Sequence, residues 1–393
     1  MKHILPVIVV SQFFCTTLWF VGNAVMPEIG AAFGLNELFF AHQTSAVQFG
    51  FISGTLTFAL LTIADRFSPS RVFFLSALAA SLANVLLIGE ANGATSILLL
   101  RFATGFFLAG IYPVGMKIAS DYFDKGLGKS LGFLVGALVL GTAFPHLLRG
   151  YLVALDWKQI IVAASCLATA GGILMLMFVP DGPFRKQAGS VDWSVSRTVF
   201  HSKGFRSAAF GYFGHMWELY AFWSFVPLML TTYAQMHTTA DWSISIGSFM
   251  VIGVGSLACV AAGYLSVYLG ERTTAALALA ASGVCCLLSP FMFAINQPLL
   301  FVAFLVFWGI VVVADSPMFS TLVARNTHAQ QRGTALTLVN CIGFFITIVS
   351  IQVLGWLLLR VPTQYLALFL VPGPALGLMA LASGRKAATE PPL

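Results

Sequence analysis

Charge is scarce in this sequence. Lys, Arg, Asp and Glu together make 9% of its 393 residues, against about 25% in a soluble domain. Acids are the rarer sign, 14 against 20 bases. With 59% hydrophobic residues and a mean hydropathy of +0.90, such a chain has too little polar surface to face water. Paired CxxC spacing is also missing. The six cysteines, Cys15, Cys166, Cys259, Cys285, Cys286 and Cys341, all fall inside apolar runs, where thiols act as small packing residues rather than a disulfide framework. A nucleophile elbow, a zinc helix motif and a phosphate loop are all lacking, as are long polar loops that could house one. An enzyme is therefore the weakest reading, and no cofactor or metal is expected. No basic stripe interleaved with aromatics points to nucleic acid.

What is present is a series of long apolar runs, read as membrane-spanning helices of roughly 20 residues each. The N-terminal "MKHILPVIVVSQFFCTTLWF" begins like a signal peptide, but no small-residue cleavage site follows and the run continues to Pro27. It is expected to be a retained first span. Spans are predicted at 4–26, 45–64, 72–89, 95–118, 128–148 and 158–179. After a polar stretch at 181–205, six more follow at 206–232, 242–267, 273–294, 299–321, 333–358 and 363–383. The fold expected is an all-α integral membrane protein of twelve transmembrane helices in two six-helix halves related by a pseudo-two-fold axis. The halves are 1–180 and 206–393, joined by a cytoplasmic linker, 181–205.

With the N-terminus inside, 16 of the 20 Lys and Arg fall on the cytoplasmic side: Lys2, Arg66, Arg71, Lys117, Lys125, Lys129, Arg185, Lys186, Arg197, Lys203, Arg206, Arg272, Arg325, Arg332, Arg385 and Lys386. The others are Arg101 within a span, and Arg149, Lys158 and Arg360 near outer ends. This bias sets the topology and places both termini in the cytoplasm, in what is expected to be a bacterial inner membrane. Lys117 is read as reaching the interface. The halves echo each other: Gly105 and Pro113 recur as Gly309 and Pro317 at one offset, Pro27 closes the first span, and Pro227 is expected to interrupt the seventh. Repeated halves with a site at their interface are a common carrier plan.

Three stretches give the sequence a family likeness. The loop "LTIADRFSPSR" carries Leu61, Asp65, Arg66, Ser68 and Arg71; "RFATGFFLAGIYPVGMK" carries Arg101 four residues before Gly105; and the fifth span has Gly132 and Gly141 followed by Pro145, His146, Arg149 and Gly150. On these residues the whole chain resembles the major facilitator superfamily of secondary transporters. The resemblance implies that Asp65, Arg66 and Arg71 form a cytoplasmic gate, although both glycines of that motif are replaced. It also ties Arg101 to substrate binding or proton coupling. The fifth-span motif of antiporters is only half kept. The blocks "GTAFPHLL", "GYFGHMWELYAFW" and "LWFVGNAVMPEI" look like the branch of cyanate-permease-like and nitrate/nitrite-like carriers of small anions.

The buried polar groups carry the functional reading. Gly211, His215, Glu218 and Phe222 share one helical stripe, with His215 and Glu218 one turn apart and able to touch. Desolvation opposes charge on either, so the pair could exchange protons as a cavity opens to each side in turn. A permanent hydrogen bond to His215 or to a neighbouring helix is the structural alternative. Asp315 is a second protonation site or a packing residue. Arg101, charged throughout physiological pH, is the candidate for an anionic group, against a structural ion pair or snorkelling. Asn23 and Trp19, one turn apart, orient a ligand or bond across helices. Tyr112, before Pro113, is a pocket candidate because a broken helix frees backbone groups. Trp217, Tyr220 and Trp223 flank the stripe and cannot all face one cavity.

These residues point to a proton-coupled carrier of a small solute, favoured as an anion, acting as a monomer in the lipid bilayer by alternating access. Proton-antiport export of an amphiphilic or cationic compound is the second reading, and a ligand sensor that moves nothing is the third.

Overall fold

A computed structural model describes residues 3–36, 38–123, 127–151, 156–185, 199–237, 240, 242–328 and 331–388. Lys2, Lys125, Lys186, Arg197 and most of the expected linker lie outside the described residues. The backbone is helical, and the chain forms two compact units. Unit 1 is Met1–Ser190 with Asp241–Ser256, and unit 2 is Val191–Ala240 with Leu257–Leu393.

Unit 1 contains α1 (Ile4–Ala24), α2 (Met26–Phe33), α3 (Phe39–Leu60), α4 (Ile63–Arg66), α5 (Pro69–Val85), α6 (Ala94–Leu108), α7 (Tyr112–Tyr122), α8 (Leu127–Tyr151), α9 (Trp157–Phe178) and α11 (Ile244–Gly253). Unit 2 contains α10 (Lys203–Met236), all but the first two residues of α12 (Gly255–Leu269), α13 (Glu271–Ala294), α14 (Pro298–Ala314), α15 (Ser316–Arg325), α16 (Arg332–Leu358), α17 (Thr363–Leu366) and α18 (Pro372–Ala388). Ten spans among the described residues are long and apolar enough to cross a membrane, some built from two helices in line. The helices α3 and α10 stand where the second and seventh spans are expected. Both are 22 residues or longer but carry polar residues inside: Gln43 and Gln48 in one, His215 and Glu218 in the other. Those side chains lower their hydropathy and mark them as facing protein rather than lipid.

Proline sets where several spans break. The fourth span is α6 then α7, and the tenth is α14 then α15; Pro113 and Pro317 stand at the start of the second piece in each. Proline has no N–H, so it fits the first turn of a helix but not its interior. Pro27 plays the same part at α2. Pro227 does not interrupt the seventh span as expected: it lies inside α10, which continues from Lys203 to Met236. Only one backbone bond is lost there, and Thr231 Oγ1 donates to the Pro227 carbonyl (2.9 Å).

Glycine allows the closest helix crossing. A Cβ on Gly50 would lie 2.0 Å from the Phe102 carbonyl oxygen, and one on Gly105 would lie 2.0 Å from that of Val47. The backbones of α3 and α6 therefore touch, the small-residue packing that membrane helices favour. This crossing fixes α6, and with it Arg101. Gly105→Ala is expected to cost about 1–3 kcal/mol, the usual range for overpacking. Gly263, with nothing within 4 Å of an added Cβ, is the control. Thermal unfolding in detergent checks this, and equal melting points for the two alanine variants would refute the tight crossing.

Candidate functional site

Unit 2 buries two carboxyl groups on different partners. Glu218, in the middle of α10, is 1% exposed. Its Oε1 accepts hydrogen bonds from Trp308 Nε1 (2.7 Å), Cys286 Sγ (3.3 Å) and Ser282 Oγ. Ser282, Cys286 and Ser289 recur at helical spacing on α13, a polar stripe in a run otherwise apolar. Trp308 comes from α14, where its ring packs on Phe222 with centroids 4.5 Å apart. The sequence signal for Ser282 and Cys286 was their spacing; nothing local marked Trp308 as the donor.

His215 takes the other acid. Its Nδ1 lies 2.8 Å from Asp315 Oδ1, both side chains 1% exposed. Asp315 stands at the break between α14 and α15, where its carbonyl accepts from the N–H groups of Met318 and Phe319 (3.0 Å each). The expected His215–Glu218 contact is thus replaced by two separate sites, because His215 is drawn to the helix break and Glu218 to α13 and α14. Asp315 has an imidazole beside it. Glu218 has no cationic side chain within ion-pair distance among the described residues.

The remaining aromatic candidates divide. Phe222 joins the Glu218 group through Trp308. Trp217 turns away and donates from Nε1 to the Phe369 carbonyl (3.1 Å). Tyr220 packs on Trp223 and on Phe344 of α16. A small pocket beside this group is lined by Phe222, Phe225, Met229, Trp308, Leu354 and Leu370, among others.

In unit 1, Arg101 is wholly buried, which excludes snorkelling. Its guanidinium donates to the carbonyls of Leu18 (3.1 Å) and Trp19 (2.6 Å) and to Asn84 Oδ1 (3.3 Å). No carboxylate pairs with it among the described residues, so its charge is solvated by dipoles and not cancelled. Trp19 packs on Phe51 at 4.8 Å, and Asn23 Nδ2 donates to Thr44 Oγ1 (2.7 Å). Tyr112 opens α7, immediately after the break.

The Asp65 loop is held within unit 1. Asp65 pairs with Lys117 Nζ (2.9 Å), which also approaches Asp121 (3.7 Å). Lys117, expected to reach the interface, has an acid on each side. Arg185 donates to the carbonyls of Asp65 (3.0 Å) and Phe67 (2.8 Å) and pairs with Asp181. Arg66 and Arg71 are exposed. Unit 2 has a parallel pair, Glu271 with Arg325 (2.7 Å).

The sequence pattern of the Major Facilitator Superfamily matches residues 8–351. The chain belongs to this superfamily. Two solved structures share its fold. The human organic anion transporter MFSD10 (TETRAN) superposes with a TM-score of 0.73 at 13% identity, over 97% of this chain and 99% of that one. A bacterial homologue of the human lysosomal transporter Spinster gives 0.75 at 14% identity, over 100% and 99%. At such identities the likeness is one of fold. No curated protein sequence matches significantly. Membership in the superfamily makes the protein a multi-pass membrane transporter and not an enzyme.

Trp308→Phe would keep the ring against Phe222 and remove one hydrogen bond to Glu218. A loss of about 1–3 kcal/mol is expected. In a Glu218→Leu background the same change should cost far less, since the bond is already gone. Equal costs in the two backgrounds, measured by thermal unfolding, would show that the bond contributes nothing.

Proposed function

We propose that this transporter is a proton-coupled carrier of a small anion, with Glu218 as the main proton carrier. The observation that carries the reading is the imbalance of buried charge within each unit. Glu218 is buried without a cation, and Arg101 is buried without an acid. An ionised group out of water costs several kcal/mol unless it is compensated. A proton on Glu218 removes that cost in unit 2, and a bound anion at Arg101 removes it in unit 1. Loading both would ease the passage of each through a closed, dry state, which is the requirement for coupled transport. His215 and Asp315 already form an ion pair or its neutral equivalent, so they serve as a relay and contribute little net charge.

In this reading Arg101, Asn23 and Trp19 orient the substrate, Tyr112 and Phe222 line its path, and Trp217 supports α10 from outside. Two six-helix halves rock about the site as a monomer, and Asp65, Arg66 and Arg71 gate the cytoplasmic side. The likeness to cyanate-permease-like and nitrate-like carriers agrees with an anion. So does the name of one fold neighbour, an organic anion transporter.

One observation favours the alternative of cation export: the packed rings of Phe222 and Trp308 beside Glu218 suit a lipophilic cation through charge and cation–π contact. Flux in proteoliposomes separates the readings. Under an imposed pH gradient, wild type is expected to accumulate a small anion. Glu218→Gln, which carries no titratable proton, should lose that accumulation while retaining anion exchange at equal pH. Accumulation by Glu218→Gln as strong as wild type would overturn the proton role. Proton-driven flux of tetraphenylphosphonium, with no anion flux, would put the exporter first. Ligand binding with no flux of either would leave a sensor.

A further inference from the structure

Unit 1 contains a run of buried amide groups that the proton mechanism does not use. Gln12 on α1 and Gln48 on α3 have no exposed surface. Neither the amide oxygen nor the nitrogen of either side chain has a hydrogen-bond partner among the described residues. Gln43 places its nitrogen on Met26 Sδ (3.1 Å), but its oxygen is unmet, as are Asn23 Oδ1, Thr55 Oγ1 and Arg101 Nε. Roughly nine in ten buried polar groups in proteins do have a partner. Such a group of exceptions calls for a physical reason.

Asn23, Gln43, Gln48 and Thr55 follow the line where α1 meets α3, and Gln12 on α1 is set against α7. Asn23 bonds Thr44 and Trp19 packs on Phe51, so α1 and α3 run antiparallel. Gln48, one turn on from Thr44, falls near the level of Trp19. Thr55, one turn on from Phe51, falls toward the level of Gln12. At one end of the seam Gly22 lies against two polar groups: a Cβ there would lie 2.5 Å from Gln43 Oε1 and 3.2 Å from Arg101 Nε. At the other end Gln12 Oε1 occupies the space beside Gly115 of α7, 2.5 Å from where a Cβ would stand. The only positive charge in this set is at the Arg101 end. Everything beyond it is a neutral group, most of which can both donate and accept.

We infer that the α1–α3 seam selects the substrate, and that the substrate is a hydroxylated carboxylate. This rests on the anion-carrier reading and narrows it. The carboxylate meets the unused Nε–H of Arg101, and hydroxyl groups meet Gln43 and Gln48. A hydroxyl donates and accepts, as an amide does, whereas an alkyl chain would leave every one of these groups unmet. Ten residues separate Gly22 from Gln12, about 15 Å along a helix. That is longer than a six-carbon acid, so Gln12 and Thr55 serve a later position on the path.

The test is thermal unfolding of the purified full chain with D-gluconate and with hexanoate, which share six carbons and one carboxylate. Nitrate and sulfate are run beside them. Gluconate is expected to raise the melting point at concentrations at least about tenfold below those hexanoate needs, since sites built to hydrogen-bond a hydroxyl discriminate strongly against analogues lacking it. Gln48→Leu should abolish that preference, leave the hexanoate response unchanged, and raise the melting point without ligand by removing an unmet buried amide. If the leucine variant does not fold, the unbranched Gln48→Met takes its place. Equal response to gluconate and hexanoate, or a preference that survives the change at Gln48, overturns the inference. A response to nitrate or sulfate alone overturns it too, yet keeps the anion-carrier reading. A response to no anion removes both.

Discussion

Two buried ionisable groups held by dipoles rather than by counter-charges are the constraint on which the rest of this structure depends. Arg101 is solvated by two carbonyls of α1 and by Asn84; Glu218 is solvated by an indole, a hydroxyl and a thiol. Such solvation lowers the cost of burial without cancelling the charge. Two ion pairs would be easier to bury, but they would leave nothing for a ligand or a proton to neutralise. A carrier needs a site whose energy changes on loading, because binding shifts a conformational equilibrium only through differential contacts. In the proposed reading, uncompensated charge at Arg101 and Glu218 is that difference.

Holding an ion by dipoles demands accurate placement. The carbonyls of Leu18 and Trp19 reach Arg101 only because α6 lies tight against its neighbours, and the bare backbone at Gly50 and Gly105 lets α3 and α6 approach that closely. In unit 2 the placement comes from side chains: Trp308 is held between the carboxylate and the ring of Phe222. The helix breaks are the complement of this rigidity. Each of the fourth and tenth spans breaks just before its proline. At the equivalent position one break carries Ile111 and the other Asp315. The repeat thus preserved the backbone device in both halves while the chemistry diverged.

Much of this was legible in the sequence for a plain reason. Membrane helices must satisfy their own backbone and face hydrocarbon, so composition and run length reveal the spans, and a charge inside one stands out. Arg101, His215, Glu218 and Asp315 were visible that way. Partner choice was not. His215 and Glu218 are one turn apart and look like a pair, yet each turned to a residue from another helix. Nothing local marked Asp65 as the partner of Lys117. Pro227 looked like a break and is carried inside an unbroken α10, because one missing N–H is a small loss in a helix of 34 residues.

By itself, the sequence determined the class of protein, the course of its helices, the breaks at Pro113 and Pro317, and the ionisable groups kept out of water. These follow from local rules: hydropathy over a span, the missing N–H of proline, and the cost of a buried charge. Only the tertiary structure decided which dipoles solvate Arg101, that Trp308 holds Glu218, that Asp315 takes His215, and that Gln43 lies against Gly22 of α1. Those outcomes depend on contacts between residues 17 to 100 positions apart in the chain, and no local pattern specifies which faces of distant helices will meet.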